Sequence, residues 1–166
     1  MKLIFKEGML EHDKKLYYVH CVGADGGMGG GFAGGVPLEH KTQFRDFERN
    51  KLEVVSTSTS NSFYTHLCTK EKTSDRPTYY DFIKTIEKFV KFAARYPHVN
   101  WHSPLLGCGI DGLERFHVED ILRQVTDKYQ VLNKTTWTLY YLEPTKPKSQ
   151  DLENLFKNFY FNKPKA

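Results

Sequence analysis

Six of the chain's 12 glycines lie within residues 23–31, directly after an almost unbroken apolar run at residues 16–22. Such an apolar run is typical of a buried strand, so the sequence predicts a strand, then a glycine loop, then a short helix. Glycine lets a ligand approach the backbone, and exposed N–H groups at a helix start bind anions, most often phosphate. A tight turn is the alternative, but one or two glycines suffice for a turn. We therefore interpret the segment as a backbone-lined ligand loop.

The composition is that of an ordinary soluble protein of one domain, because 166 residues can bury a sizeable core and no run approaches 18 apolar residues. Cys21, Cys68 and Cys108 are odd in number and far apart, which favours a reducing compartment over a disulfide framework or a zinc ribbon. The short, charged N-terminus does not resemble a signal peptide. We expect an intracellular monomer, cytoplasmic or nuclear, without membrane contact. The net charge of +4 suits anionic ligands but is too small by itself to indicate nucleic-acid binding.

Hydrophobic periodicity predicts alternating strands and helices around a mixed sheet, an α/β architecture. The clearest helix begins after Thr78, a good N-cap with Asp81 three residues later. A helix at residues 38–50 is expected to bury Phe44 and Phe47 on one side. The other expected elements are strands at residues 2–6, 16–22, 99–106 and 137–142, a hairpin of strands at 52–59 and 62–69, a helix containing residues 118–125, and a short helix at 151–161.

A second glycine loop, at residues 107–112, also lies between a strand and a helix. Because open α/β sheets bind ligands beyond the carboxyl ends of their strands, both loops can flank one cleft for a ligand with two phosphates. Residues 29–34 match GxGxxG, but a dinucleotide site needs an acidic residue at the end of the next strand, and neither Glu48 nor Glu53 fits. The sequence contains no GK[ST], which excludes a P-loop.

Residues 20–33, with the pattern H-C-x-x-x-D-x-x-M-G-x-G-F-A, resemble the first ligand loop of macrodomains, the ADP-ribose-binding modules. The pattern is most similar to the branch of the terminal ADP-ribose protein glycohydrolase. Residues 67–70, 76–79 and 104–113 resemble three further stretches of that branch, in the same order. The resemblance implies a macrodomain over residues 1–143 and leaves 144–166 as a C-terminal extension with a short helix.

The resemblance implies a three-layer α/β/α fold with a mixed central sheet and an ADP-ribose cleft between the glycine loops. That branch removes ADP-ribose from acidic side chains, and related members act on O-acyl-ADP-ribose, ADP-ribosylated nucleic acid or ADP-ribose 1''-phosphate. Its catalytic lysine and aspartate correspond to Lys70 and Asp111. It needs no cofactor, and we expect no metal site. The candidate ligand-binding residues are His20, Asp25, Gly27, Met28, Gly29, Gly30, Gly31, Phe32, Thr69, Gly107, Cys108, Gly109, Ile110, Gly112 and Tyr140.

The chemistry of ADP-ribose release fits these two catalytic candidates. Cleavage at C1'' of the distal ribose creates an oxocarbenium-like centre, and a carboxylate such as Asp111 can manage the protons there. A neutral lysine amine can instead attack the ring-opened C1'' aldehyde and form a Schiff base. The alternatives are a solvated loop lysine for Lys70 and a helix N-cap for Asp111.

Several candidates have structural alternatives. His20 can be a satisfied core histidine, Asp25 can stabilise the glycine turn, and Tyr140 can pack in the core. Cys108 is a small loop residue rather than a nucleophile, because nothing supplies a paired base. The family's acidic residue at the adenine amino group corresponds to Met9, so this resemblance leaves adenine recognition open. Two functions besides hydrolysis of ADP-ribose conjugates stay open: an ADP-ribose 1''-phosphate phosphatase, and a non-catalytic reader of ADP-ribose.

Overall fold

The computed structural model describes residues 1–108, 111–129 and 134–142. The expected extension at 144–166 with its helix lies outside the described residues, as do the candidates Gly109 and Ile110. The elements of the described part are β1 (Lys2–Glu7), β2 (Tyr17–Gly23), α1 (Gly31–Gly34), α2 (Leu38–Asp46), β3 (Val54–Ser58), β4 (Phe63–Lys70), α3 (Tyr79–Ala93), β5 (Asn100–Pro104), α4 (Arg115–Asp127) and β6 (Thr136–Tyr141).

The six strands form one sheet in the order β1-β6-β5-β2-β4-β3. All neighbouring pairs are parallel except β3 and β4, which form the expected antiparallel hairpin. The mixed sheet is therefore confirmed. Because the parallel strands end at one edge, Gly23, Lys70 and Pro104 come to the same side of the molecule.

Helices cover both faces of this sheet, which confirms the three layers. On one face α3 and α4 pack against the sheet through residues such as Phe89, around the fully buried Trp101 and Trp137. On the other face α2 and the first glycine loop pack through Phe44 and Met28. Burial of these large apolar side chains drives the layers together.

The local signals that predicted α3 are confirmed. Thr78 is the N-cap, and its hydroxyl accepts a 3.0 Å hydrogen bond from the backbone N–H of Asp81. The buried residues of the helix follow helical spacing, as expected of an amphipathic helix.

The expected extent of α2 is wrong. The helix ends at Asp46 rather than near residue 50, and Phe47 is extended and 49% exposed instead of buried. Arg49 folds back, and its Nη1 donates to the carbonyl oxygens of Arg45 and Phe44. This side chain satisfies the open carbonyls at the helix end, so the chain leaves the helix before Phe47 can turn inward.

None of the helices in the described residues has the length and hydropathy that a membrane crossing requires.

Candidate active site

A groove of about 740 Å³ opens at the carboxyl ends of the parallel strands. The first glycine loop lines one side and the described part of the second loop lines the other, so the two loops flank one cleft as expected. The adjacent strands β2 and β5 are followed by helices on opposite faces of the sheet, which is where open α/β sheets bind ligands.

Most of the candidate residues that the structure describes lie along this groove, and three do not. Asp25, Thr69 and Gly112 do not line it. Thr69 precedes Lys70 on the same strand and is fully buried. Because alternate side chains of a strand point to opposite faces, Thr69 points to the face opposite that of Lys70. The candidates that line the groove are His20, Gly27, Met28, Gly29, Gly30, Gly31, Phe32, Lys70, Gly107, Cys108, Asp111 and Tyr140.

Asp25 makes the contacts expected if it stabilises the glycine turn. Its carboxylate accepts hydrogen bonds from the Thr73 hydroxyl (2.6 Å), the Thr73 N–H (3.0 Å) and the Gly27 N–H (3.2 Å). Desolvation acts to raise the pKa of Asp25, but the hydrogen bonds from Thr73 and Gly27 and the charge of Arg49 hold that pKa below its usual value. Gly27 makes this contact possible, because a Cβ there would meet the Thr73 side chain. The cluster thus fixes the glycine loop to the segment after β4.

The second loop turns sharply at Gly107. This residue has φ +73, and its carbonyl oxygen accepts a 2.8 Å hydrogen bond from the N–H of Leu113. A Cβ on Gly107 would lie 2.6 Å from Leu113 Cδ1, so both the conformation and the packing require glycine. The loop therefore returns the chain to the groove, where Asp111 lies.

Lys70 and Asp111 meet at one end of the groove. Lys70 is the last residue of β4, and its Nζ lies 2.6 Å from Asp111 Oδ1. The two side chains are only 7% and 11% exposed. Lys70 is thus no solvated loop lysine, and Asp111 is no N-cap, because α4 begins at Arg115 with Glu114 as its N-cap. An ion pair this buried is costly to desolvate, so it is weak evidence for stability and fits a chemical role better.

The nearby thiols are not activated. Burial raises the pKa of Cys108 to about 12, and burial followed by the charge of Asp111 raises the pKa of Cys21 well above its usual value. Both thiols stay protonated at neutral pH, whereas the thiolate is the nucleophilic form. This agrees with the expectation that Cys108 is a small loop residue.

His20 lines the groove although it is 1% exposed. Phe32 covers its ring at a centroid distance of 5.6 Å, and His12 lies against Phe32 at 4.0 Å. His12 Nδ1 shares a 2.7 Å hydrogen bond with the Tyr64 hydroxyl. His12 was not among the candidate residues, because it lies between the strands predicted at residues 2–6 and 16–22 and belongs to no motif.

Tyr140 lines the groove near the end of β6, and its hydroxyl lies 3.0 Å from His102 Nδ1. The groove lining there is apolar and includes the exposed side chains of Met9 and Leu142. Arg115 also lines the groove: its guanidinium lies 3.8 Å from the centre of the Tyr141 ring.

Arg115 and Thr73 were not predicted either. The Nε of Arg115 donates a 3.0 Å hydrogen bond to Glu119 Oε1, and this i,i+4 pair was visible in the sequence, although its position at the groove was not.

Among the described residues, no group of three or more His, Cys, Asp or Glu side chains is arranged to hold a metal ion.

Comparison with known proteins relates this architecture to named relatives. No protein-family profile matches the chain. It is 27% identical over 128 residues to the Bos taurus protein named ADP-ribose glycohydrolase OARD1, covering 73% of this chain and 80% of the relative. The macrodomain of Mycobacterium tuberculosis DarG superposes with a TM-score of 0.68 at 16% identity over 86% of this chain and 99% of that one. Thermosipho africanus DarTG in complex with ADP-ribose gives 0.66 at 17% identity over 84% of this chain and 40% of that one.

Helix layers on both faces of a six-stranded mixed sheet, with a groove between two glycine loops, define the class of protein: the chain has the macrodomain fold. The resemblance to the macrodomain family is thereby confirmed. Its assignment to the branch of the terminal ADP-ribose protein glycohydrolase stays a prediction.

Proposed function

We propose that the protein binds ADP-ribose conjugates in the groove and releases ADP-ribose from them by hydrolysis, with Lys70 and Asp111 as the catalytic residues. Three features support the ligand. The groove has the size and two-loop construction expected for a diphosphate ligand. A relative is named ADP-ribose glycohydrolase, and a structural neighbour was solved with ADP-ribose.

The lining of the groove gives the ligand a direction. The glycine loops face the diphosphate, and the Lys70–Asp111 end takes the distal ribose. The apolar end near Met9, Tyr140 and Leu142 takes the adenine. Asp111 is the only acidic residue among the described residues that line the groove, so no carboxylate is at hand for the adenine amino group at the apolar end. Adenine is held at that end by apolar and stacking contacts.

The buried pair suits two steps of the reaction. Asp111 can accept the proton of Lys70 across their 2.6 Å contact, which leaves a neutral amine. This amine attacks C1'' of the distal ribose as the bond from C1'' to the acyl carboxylate breaks and the carboxylate leaves. The attached nitrogen loses a proton to water, and the C1''–O bond of the ring then opens to give the imine, while the ring oxygen takes the proton held by Asp111 and becomes a hydroxyl. Water then adds to the imine, the amine leaves, and free ADP-ribose is released. In the alternative without an imine, Asp111 acts as the acid or base at C1'' while Lys70 holds it in place.

The single observation that carries the proposal is this Lys70–Asp111 contact at the end of a ligand-sized groove. A non-catalytic reader of ADP-ribose has no need of a desolvated ion pair there, and such a pair contributes little to stability.

The test measures release of ADP-ribose from a peptide with ADP-ribosylated glutamate and from O-acetyl-ADP-ribose. The wild type should turn over at least one of them, and Lys70→Ala and Asp111→Asn should each lower the rate by about 100-fold or more. Lys72→Ala is the matched control, because Lys72 is exposed two residues further along the same segment. No release by the wild type from either substrate would refute the proposed activity. Tight calorimetric binding without turnover would identify a reader, and phosphate release from ADP-ribose 1''-phosphate that survives Lys70→Ala would identify a phosphatase.

A further inference from the structure

Five side chains form a continuous hydrogen-bonded chain from the groove toward the surface, which we call the imidazole chain. His20 Nε2 lies 2.6 Å from His66 Nδ1, and His66 Nε2 lies 2.8 Å from the Thr57 hydroxyl. The same hydroxyl lies 2.7 Å from His40 Nδ1, and His40 Nε2 lies 2.8 Å from the Ser62 hydroxyl. His20 lines the groove at one end, and Ser62 is partly exposed at the other.

The interior of this chain is buried and neutral. His20, His66, Thr57 and His40 are each at most 2% exposed. Burial lowers the pKa of His20 to about 3 and the pKa of His66 well below its usual value, and burial also lowers the pKa of His40. Each imidazole therefore carries one proton at neutral pH, and each of the four hydrogen bonds uses one proton.

Two proton arrangements run in one direction through the whole chain. If His20 Nε2–H donates to His66, then His66 must donate from Nε2 to Thr57, Thr57 to His40, and His40 from Nε2 to Ser62. If His66 Nδ1–H donates to His20, every donor reverses, and all three imidazoles carry their proton on Nδ1. Most mixed arrangements place two protons or none in one hydrogen bond. In the remaining one, His66 and His40 both donate to Thr57, which leaves the buried Thr57 hydroxyl proton without an acceptor among the described residues. The three tautomers are therefore linked.

The last nitrogen at the groove end of the chain has no hydrogen-bond partner among the described residues. His20 Nδ1 is buried and has no hydrogen-bond partner there, while the other ring nitrogen is held by His66. A buried polar atom of this kind is rare without a partner. In the first arrangement Nδ1 is a bare acceptor, and in the second it is an N–H donor on the buried ring of His20, a residue that lines the groove beside Phe32.

We propose that the imidazole chain is one proton-ordered unit, and that its inner end, His20 Nδ1–H, donates a hydrogen bond to an oxygen of an anionic ligand in the groove. A phosphate oxygen offers only lone pairs, so it selects the arrangement with all protons on Nδ1. In the change from one arrangement to the other, a proton from water enters at His20 Nδ1 and one leaves the Ser62 hydroxyl to water. Each proton between them crosses its own hydrogen bond, so the net charge is unchanged. The use of ADP-ribose as the ligand rests on the proposed function.

Nitrogen-15 NMR of the imidazoles tests the inference in the wild-type protein. The free protein should show the same tautomer at His20, His66 and His40, and saturating ADP-ribose should place all three protons on Nδ1. Mixed tautomers in the free protein, or protons on Nε2 in the loaded protein, would overturn it. If ADP-ribose binds in calorimetry but the tautomers are mixed, this inference fails and the proposed function stands. If ADP-ribose does not bind, the proposed function fails, and the tautomers of the free protein still decide whether the chain is one unit.

A variant tests the link between the two ends without a change in the groove. Thr57 does not line the groove, and Thr57→Val removes the hydroxyl that joins His66 to His40. We expect it to weaken ADP-ribose binding by about ten-fold, because the arrangement that the ligand selects needs the Thr57 hydroxyl as a donor to His66 Nε2. The matched control is Ser103→Ala, which removes a buried 2.8 Å hydrogen bond from Trp137 on the opposite face of the sheet. Equal affinities of wild type and a folded Thr57→Val variant would contradict the coupling, and the wild-type tautomers keep the test decisive if that variant does not fold.

Discussion

Acidification to pH 5 is expected to destabilise the protein through its buried imidazoles. Burial lowers the pKa of His20 to about 3 in the folded chain, whereas an unfolded histidine titrates near 6.5. Between these values the unfolded state binds more protons than the folded state, so the free energy of unfolding decreases as the pH is lowered. The stabilisation is complete above about pH 7.5 and is lost progressively as the pH falls through 6.5 toward 3.

The size of this loss follows from the two pKa values. At pH 5 the pH is about 1.5 units below the pKa of an unfolded histidine, whereas the folded His20 is still neutral. This residue alone therefore lowers the free energy of unfolding by about 2 kcal/mol. Burial also lowers the pKa of His66 well below its usual value, so His66 adds a loss of the same sign. Against a typical total of about 5–15 kcal/mol, this is a large fraction of the stability.

Urea unfolding at pH 7.5, 6.5, 5.5 and 5.0 measures this loss, with fluorescence of the buried Trp101 and Trp137 as the probe. The exposed His98 gives a control, because His98→Asn should leave the pH dependence unchanged and Asn tolerates its φ of 71. A free energy of unfolding that stays level between pH 7.5 and 5.0 would refute the assignment of neutral, buried imidazoles.

Three further substitutions test other parts of the account. Gly27→Ala should weaken ADP-ribose binding in calorimetry, because its Cβ would displace the Thr73 side chain that holds the glycine loop in place, and an unchanged affinity would contradict that packing. Thr78→Ala should lower the free energy of unfolding in urea by about 1 kcal/mol, since it removes the N-cap of α3, and an unchanged midpoint would contradict the cap. Cys108→Ser should keep the turnover of ADP-ribosylated substrates within a few-fold of the wild type, because burial raises the pKa of this thiol to about 12 and no thiolate attacks; complete loss would implicate the sulfur.

Local signals predicted the fold well where short-range chemistry decides the structure. Thr78 caps α3 because its hydroxyl reaches an N–H only three residues away. The end of α2 was missed for the opposite reason. It depends on Arg49 folding back onto the carbonyl oxygen of Arg45, and no capping residue marks that site in the sequence.

The site was predictable in part. The glycine content of the two loops predicted a ligand groove. The Lys70–Asp111 pair followed from the resemblance to a family and not from spacing, because 41 residues separate the two. His12 was missed because its place beside Phe32 depends on how a loop after β1 folds over the sheet. Asp25 was ambiguous because both of its roles need a carboxylate in the glycine turn, and only the position of Thr73 separates them.

Covalent trapping tests the central claim, a lysine and an aspartate at the sugar end of the groove, most directly. The protein is incubated with ADP-ribose and sodium borohydride, and the modified residue is located by peptide mass spectrometry. The account predicts one reduced adduct on Lys70, absent from Lys70→Ala and much weaker in Asp111→Asn. An adduct spread over exposed lysines such as Lys72, or no adduct in a protein that hydrolyses ADP-ribosylated substrate, would contradict the Schiff-base role of Lys70.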